Sequence, residues 1–320
     1  MIWVAWRQHR AQLITLAALL LLGSATVLVL HASMTGDIEE YGLQACLSIR
    51  EKTPDCAQTR VEFQKEWFDL IKVGQGMVFA LPVLLGAFFA APLFAREIEH
   101  GTHVLAFTQS VSRLRWMITK VAVLLLPSAV VVVVLQLLVA RWVAAAGLLG
   151  PLRSGPFQWL SFDTTGPMAV VHLLFSFALG ALLGAVMRRS LMALSTTLGT
   201  LVVLRVVVTN VAPNFLPVQR LTTSDPMISA TPSEPGAMVL DSGFLGKGGQ
   251  LLRPESSDVT SCPIGADFGA CYAEKGLTGT FADVIYPSAA PGLQLAEFAV
   301  FGLAAVLLLV GTAWTLQRQH

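Results

Sequence analysis

Charge is what this chain has least of. Asp, Glu, Lys and Arg make up 13% of its 320 residues, about half of the quarter usual in a soluble domain. So few charges cannot cover a water-facing surface, which excludes an ordinary soluble globular protein. The net charge is only +1, so no global basic field points to a nucleic-acid partner. No GxxxxGK[ST], HExxH or GxSxG appears, which argues against a nucleotide-hydrolysing, zinc-peptidase or serine-hydrolase site. No catalytic residue, metal ligand or cofactor is therefore expected in this chain. Two near misses need a reading. In the stretch Gly243 to Gln250, Asp241 stands at the first Gly position of a P-loop and Gly248 at its Ser/Thr position, so it reads as a flexible loop. His100 and His103 straddle Gly101-Thr102 without a third ligand at zinc spacing, and read as interface residues.

Long apolar runs are what the chain has instead. It is 54% hydrophobic with mean hydropathy +0.67. A helix needs about 20 apolar residues to span a bilayer. Six runs qualify, about Leu13–His31, Met77–Ala95, Val121–Ala140, Met168–Met187, Leu191–Val211 and Leu295–Thr315. Each is continuous rather than alternating, which excludes outer-membrane strands. The expectation is an all-α polytopic membrane protein, a single transmembrane domain over residues 1–320.

Orientation follows from Lys and Arg in the short loops. With both termini inside, the inner segments hold nine basic residues against the acids Glu97 and Glu99. The outer segments hold eleven basic and seventeen acidic residues, with Arg141 and Arg153 against Asp163 the only local exception. Cys46 and Cys56 fall in the first outer loop, and Cys262 and Cys271 in the last. That placement suits disulfides in an oxidising compartment. Four cysteines allow three pairings; local pairs need the least loop closure.

Along the chain, Met1–Arg10 is aromatic and cationic and reads as an interfacial helix at the inner surface. Residues 33–74 read as outer loop 1. Within it Val61, Phe63, Trp67, Leu70 and Ile71 recur at helical spacing, which predicts a helix lying on the membrane or on the last outer loop. Pro82 and Gly86 predict a kink in the second span. Ser110 or Ser112 can cap the helix entering the third span. Ser176, Gly180 and Gly184 form a small-residue face for close helix packing. Residues 212–290, rich in Pro, Gly, Ser and Thr, read as a large outer loop. Arg205 and Glu297 lie inside spans, where a lone charge is expensive, so they are expected to pair.

The segment from Arg96 to Lys120 is the polar stretch between spans two and three. Arg96, Glu97, Glu99, Gly101, Thr102, Leu105, Thr108, Ser112, Arg113 and Lys120 follow one another in a pattern that resembles the permease subunits of ABC transporters of the exporter-associated type 2 family. Ser110 departs from the Pro often found there. The resemblance extends to the layout: interfacial start, six spans, a cytoplasmic coupling segment after the second and cysteine-bearing outer loops. It implies a permease that moves an amphipathic substrate (drug, peptide antibiotic or lipid) among membrane lipids. It implies a separate ATP-binding subunit, with ATP and Mg held there, and a second permease copy or paralogue. Residues 96–120, and Arg96, Glu97, Glu99, Gly101, Thr102, Thr108, Ser112 and Arg113 in particular, would then meet that ATPase. The alternative is a sensor or regulatory complex that binds a ligand through its outer loops without moving a solute.

Overall fold

The computed structural model describes residues 2–44, 61–101, 112–211, 217–232, 234, 236–253, 262 and 267–318, with side chains considered from residue 6 onward. The chain divides into two compact units. The first comprises Met1–Arg153, Gln158–Val211 and Gly292–His320; the second comprises Ser154–Phe157 and Ala212–Pro291.

The first unit is helical. Its elements are α1 (Ile2–Glu40), α2 (Val61–Glu99), α3 (Arg113–Ala146), the short α4 (Trp159–Thr164), α5 (Met168–Met187), α6 (Ser190–Val211) and α8 (Ala290–Arg318). The helix α7 belongs to the second unit. All but α4 and α7 are long and apolar enough to cross a membrane, at the six places where the sequence predicts spans.

Four of them, α1, α2, α3 and α8, run longer than expected. At 1.5 Å per residue α1 is roughly 58 Å long, well beyond a ~30 Å hydrocarbon core. Residues 2–10 are the start of α1 itself, which corrects the expectation of a separate interfacial helix. Asp37, Glu39 and Glu40, read as outer loop, continue the same helix. The helix expected at Val61–Ile71 is the beginning of α2, and it packs against α1 and α3. Phe63, Trp67 and Ile71 are buried with Met34, Ile38 and Val143, and Trp67 Nε1 donates to Asp37 Oδ2 at 2.8 Å.

α3 shows why these helices pack. Its buried residues Met117, Val121, Leu124, Ser128, Val131, Leu135, Val139 and Trp142 recur every three or four positions and form one stripe. α5 is the most enclosed span, whereas α6 and α8 bury little within the chain. The expected small-residue face is present. A Cβ on Gly180 would lie 2.4 Å from Gly86 O, and one on Gly184 would lie 2.2 Å from Ala91 O. Only the absence of side chains lets α5 approach α2 this closely. At the same place α2 widens into a π-helical stretch, Gly86–Ala90, one turn after Pro82.

The second unit corrects both the all-α expectation and the reading of residues 212–290 as a loop. It contains β1 (Gln219–Thr223), β2 (Met238–Gly246), β3 (Leu251–Leu252), α7 (Phe268–Glu274) and β4 (Leu277–Ile285). The strands form one antiparallel sheet in the order β1-β4-β2-β3. Buried Phe281, Ala282, Val284 and Ile285 make β4 its centre. The Gly-rich stretch is the hairpin turn between β2 and β3: Gly246 N donates to Gln250 O at 2.9 Å. Gly248 and Gly249 hold φ of 93° and 78° there, values that favour glycine.

Arg220 on β1 grips Asp283 on β4 with bonds of 2.7 and 2.8 Å. The Arg220 guanidinium holds the Asp283 carboxyl below its ordinary range. A depressed folded-state value gives stability above the ordinary carboxylate pKa, lost as pH falls through the depressed one. The protection of the β1 amides, corrected for the intrinsic pH dependence of exchange, should therefore fall slightly below that range, more weakly at high salt because Arg220 is exposed. Asp283→Asn should exchange faster at neutral pH and show no acid step; an acid step equal to the native one would refute the assignment.

Candidate functional site

Two polar constellations interrupt the apolar bundle. The first gathers the flanks of the Arg96–Lys120 segment. Glu97 near the end of α2 forms an ion pair with Lys120 on α3, and the Lys120 ammonium sits 4.6 Å from the centre of the Trp116 ring. Glu99 accepts from Ser190 N at 3.0 Å and Ser190 Oγ at 2.8 Å, so it caps the start of α6 and suits the positive end of that helix's dipole. Arg113 Nη1 donates to Leu316 O at 3.2 Å and Gln317 O at 2.7 Å, where it meets the carbonyl-rich end of α8. Ser112, as expected, caps α3 by accepting from Arg115 N at 3.4 Å. Gly101, at φ 69°, ends α2 by donating to Ile98 O at 3.2 Å.

Glu97, Glu99 and Arg113, expected to face an ATPase, thus each have bonds within the chain. Arg96 is exposed and lines a groove of about 540 Å³ with Gln8, His9, Gln12, Glu97 and His100. Thr102, His103, Leu105, Thr108 and Ser110 lie outside the described residues.

The second constellation lies within the spans. Arg205 is about 9 Å before the end of α6, and Glu297 about 10 Å after the start of α8. The expected Arg205–Glu297 ion pair is not what forms. Arg205 pairs with Asp163 on α4, whose side chain is 3% exposed. Its Nη1 also lies 3.4 Å from His172 Nε2 on α5, and its guanidinium sits 4.9 Å from the Phe79 ring centre. Glu297 remains within electrostatic range of Arg205, but its buried Oε2 has no hydrogen-bond partner, nor has Asp163 Oδ1. Phe301 of α8 packs edge-on against His172 at 5.2 Å. The cavity among Phe79, His172, Arg205 and Phe301 measures about 40 Å³, room for a few waters and no larger molecule.

Asp163 and His172 were not singled out from the sequence. Asp163 is the lone acid beside two arginines in the connection between the third and fourth spans, and His172 the lone ionisable residue of its span. Those were the signals available. Cys262 and Cys271 are joined in the structure, with Cα atoms 6.2 Å apart; Cys46 and Cys56 lie outside the described residues. No group of three or more His, Cys, Asp or Glu among the described residues could hold a metal ion.

No curated protein and no solved structure matches the chain. Residues 17–212, more than half of the chain, match the family described as ABC-2 membrane transporter related. That region includes α2, the Arg96–Lys120 segment and the α5–α6 pair, and the family's members are membrane components of transporters that work with an ABC ATP-binding subunit. With its six membrane-crossing helices, the chain is a multi-pass membrane protein and belongs to the ABC-2 membrane transporter related family.

Proposed function

We propose that this chain is the permease of an ATP-driven exporter for an amphipathic substrate, oriented with both termini inside. One observation carries the reading. The two flanks of the coupling segment are tied by side chains to three other spans: α3 through Glu97, α6 through Glu99 and α8 through Arg113. A segment anchored this way transmits a push from outside the chain into the bundle rather than absorbing it. ATP-driven closure of a partner subunit then biases one arrangement of the spans, because the two arrangements differ in contact with that partner. ATP and Mg stay in the partner, and no bond chemistry occurs here. The exposed apolar faces of α6 and α8 suit membrane lipid and a second permease copy. The apolar walls of the spans favour an amphipathic substrate.

Co-purification from native membrane tests this. A stoichiometric ATP-binding subunit should accompany the chain, and substrate-stimulated ATPase should follow. Glu99→Gln removes the charge of the α6 cap while keeping its shape and its acceptor oxygen. It should leave the partner bound but reduce stimulation about tenfold, the loss expected when roughly 1.4 kcal/mol of charge-assisted bonding is removed. Retention of full stimulation would show that the tie transmits nothing. A chain that purifies alone after mild crosslinking would count against the whole reading.

The sensor alternative gains support from the folded second unit, which offers more than a loop for a ligand. Excising residues 219–285 should leave basal flux in an exporter and abolish all response in a sensor. If the Cys262–Cys271 bond forms in the cell, mass spectrometry without reductant should find the two peptides joined, in keeping with an outside location.

A further inference from the structure

The charges in the span-embedded constellation do not balance. Asp163 and Glu297 supply two negative charges and Arg205 supplies one positive charge. His172 is the single ionisable side chain of α5, Arg205 of α6 and Asp163 of α4, and α8 has only Glu297 and the distant Arg318. α2 reaches the cluster through Phe79, and its nearest charges, Lys72 and Asp69, are opposite in sign and lie about 10 and 15 Å along the helix from Phe79. Gln294 of α8, one turn from Glu297, is occupied with Phe162 O and Thr165 Oγ1, each at 3.0 Å. A net charge of −1 within an apolar bundle is costly, and one bound proton cancels it.

The geometry also says which group holds that proton. Guanidinium nitrogens only donate. The His172 Nε2 facing Arg205 Nη1 at 3.4 Å must therefore present its lone pair, since a proton there would set two donors face to face. Asp163 already faces the guanidinium through Oδ2. That leaves Glu297, whose Oε2 is buried and meets no donor. We infer that Glu297 is a proton-binding site within the span, carrying one proton from water at neutral pH while Arg205 stays with Asp163.

This goes beyond the permease reading, because it concerns what α8 does to its neighbours. When Glu297 releases its proton to water, two carboxylates compete for one guanidinium. Arg205 then ties α6 to α8 as well as to α4. With Glu297 protonated, the α6–α8 tie is absent. Two states that differ in one ion pair are thus set by one proton.

Infrared difference spectroscopy on the full chain in lipid discs tests this without any substrate. At neutral pH a protonated-carboxyl band should be present, shift with isotopically labelled glutamate but not labelled aspartate, and vanish on raising the pH. Glu297→Gln should lose the band and keep the native melting temperature at neutral pH, because glutamine is as neutral as the protonated acid. Asp163→Asn should also lose it, since Arg205 then has only Glu297 and ionises it. No glutamate band in the native protein, a band that persists in Glu297→Gln, or a marked fall in that variant's melting temperature would each overturn the inference.

Discussion

Arg205→Ala is expected to destabilise the protein by about 3–5 kcal/mol, the loss seen when one partner of a buried ion pair is removed. The loss would arise mainly at Asp163, whose 3%-exposed carboxylate would lose its counter-ion and must either stay charged or take up a proton, each at a cost. Its Oδ1 already lacks a hydrogen-bond partner, so nothing nearby can take over. Removing the charge should undo the damage. Arg205→Met with Asp163→Asn should melt within a few degrees of the native protein, whereas Arg205→Met alone melts far lower. Asp163→Asn alone should fall less, because Glu297 then becomes the counter-ion of Arg205. Thermal melting in detergent or lipid discs measures all four species as a double-mutant cycle. Additive losses would mean that the two side chains do not depend on each other, and the central ion pair of the bundle would have to be reassigned.

A comparable loss is expected at Gly184. A methyl group there would stand 2.2 Å from the Ala91 carbonyl oxygen, and a backbone atom cannot swing aside as a side chain can. Gly184→Ala should therefore cost about 1–3 kcal/mol, as overpacking usually does. Gly184→Leu should drive α5 off α2 and leave little protein in the monodisperse fraction. Gly199, on α6, has nothing within 4 Å of its Cβ position, and Gly199→Leu should behave almost as native. Size-exclusion yield and melting temperature check both variants. A Gly184→Leu protein that melts like the native one would refute the close approach of α5 to α2.

Hydropathy located all six spans because membrane helices advertise themselves locally, through length and continuity. The Ser176-Gly180-Gly184 face and the Ser112 cap were legible for the same reason: a four-residue spacing and a hydroxyl before a helix are local signals. Helix ends were less legible. Asp37, Glu39 and Glu40 look like loop residues by charge, yet a helix leaving the membrane keeps its hydrogen bonds whatever its side chains are. The sheet was illegible. β2 and β4 contain glycine, and the connections from β1 to β2 and from β3 to β4 are long. β1 meets β4 through pairs such as Arg220 and Asp283, which are far apart in sequence. The partner of Arg205 was missed on similar grounds. Asp163 sits on a six-residue helix with too few residues to show any period, so only the folded chain brings it to α6. The flanks of the Arg96–Lys120 segment are legible as polar and adjacent to a turn. That they close onto α3, α6 and α8 could not be read from their spacing.

The connection between α5 and α6 is only Arg188 and Arg189, with Arg188 in the left-handed region at φ 56°. A link this short has no slack, so the two helices form one stiff arm. Glu99 holds that arm at Ser190. Arg205 rides on it roughly 22 Å farther along, and His172 is carried on its other limb. Asp163 and Glu297 are not part of the arm. A tilt of the arm at Ser190 would therefore move the cation relative to both acids, and the choice of which carboxylate is neutralised would become a mechanical readout of that tilt.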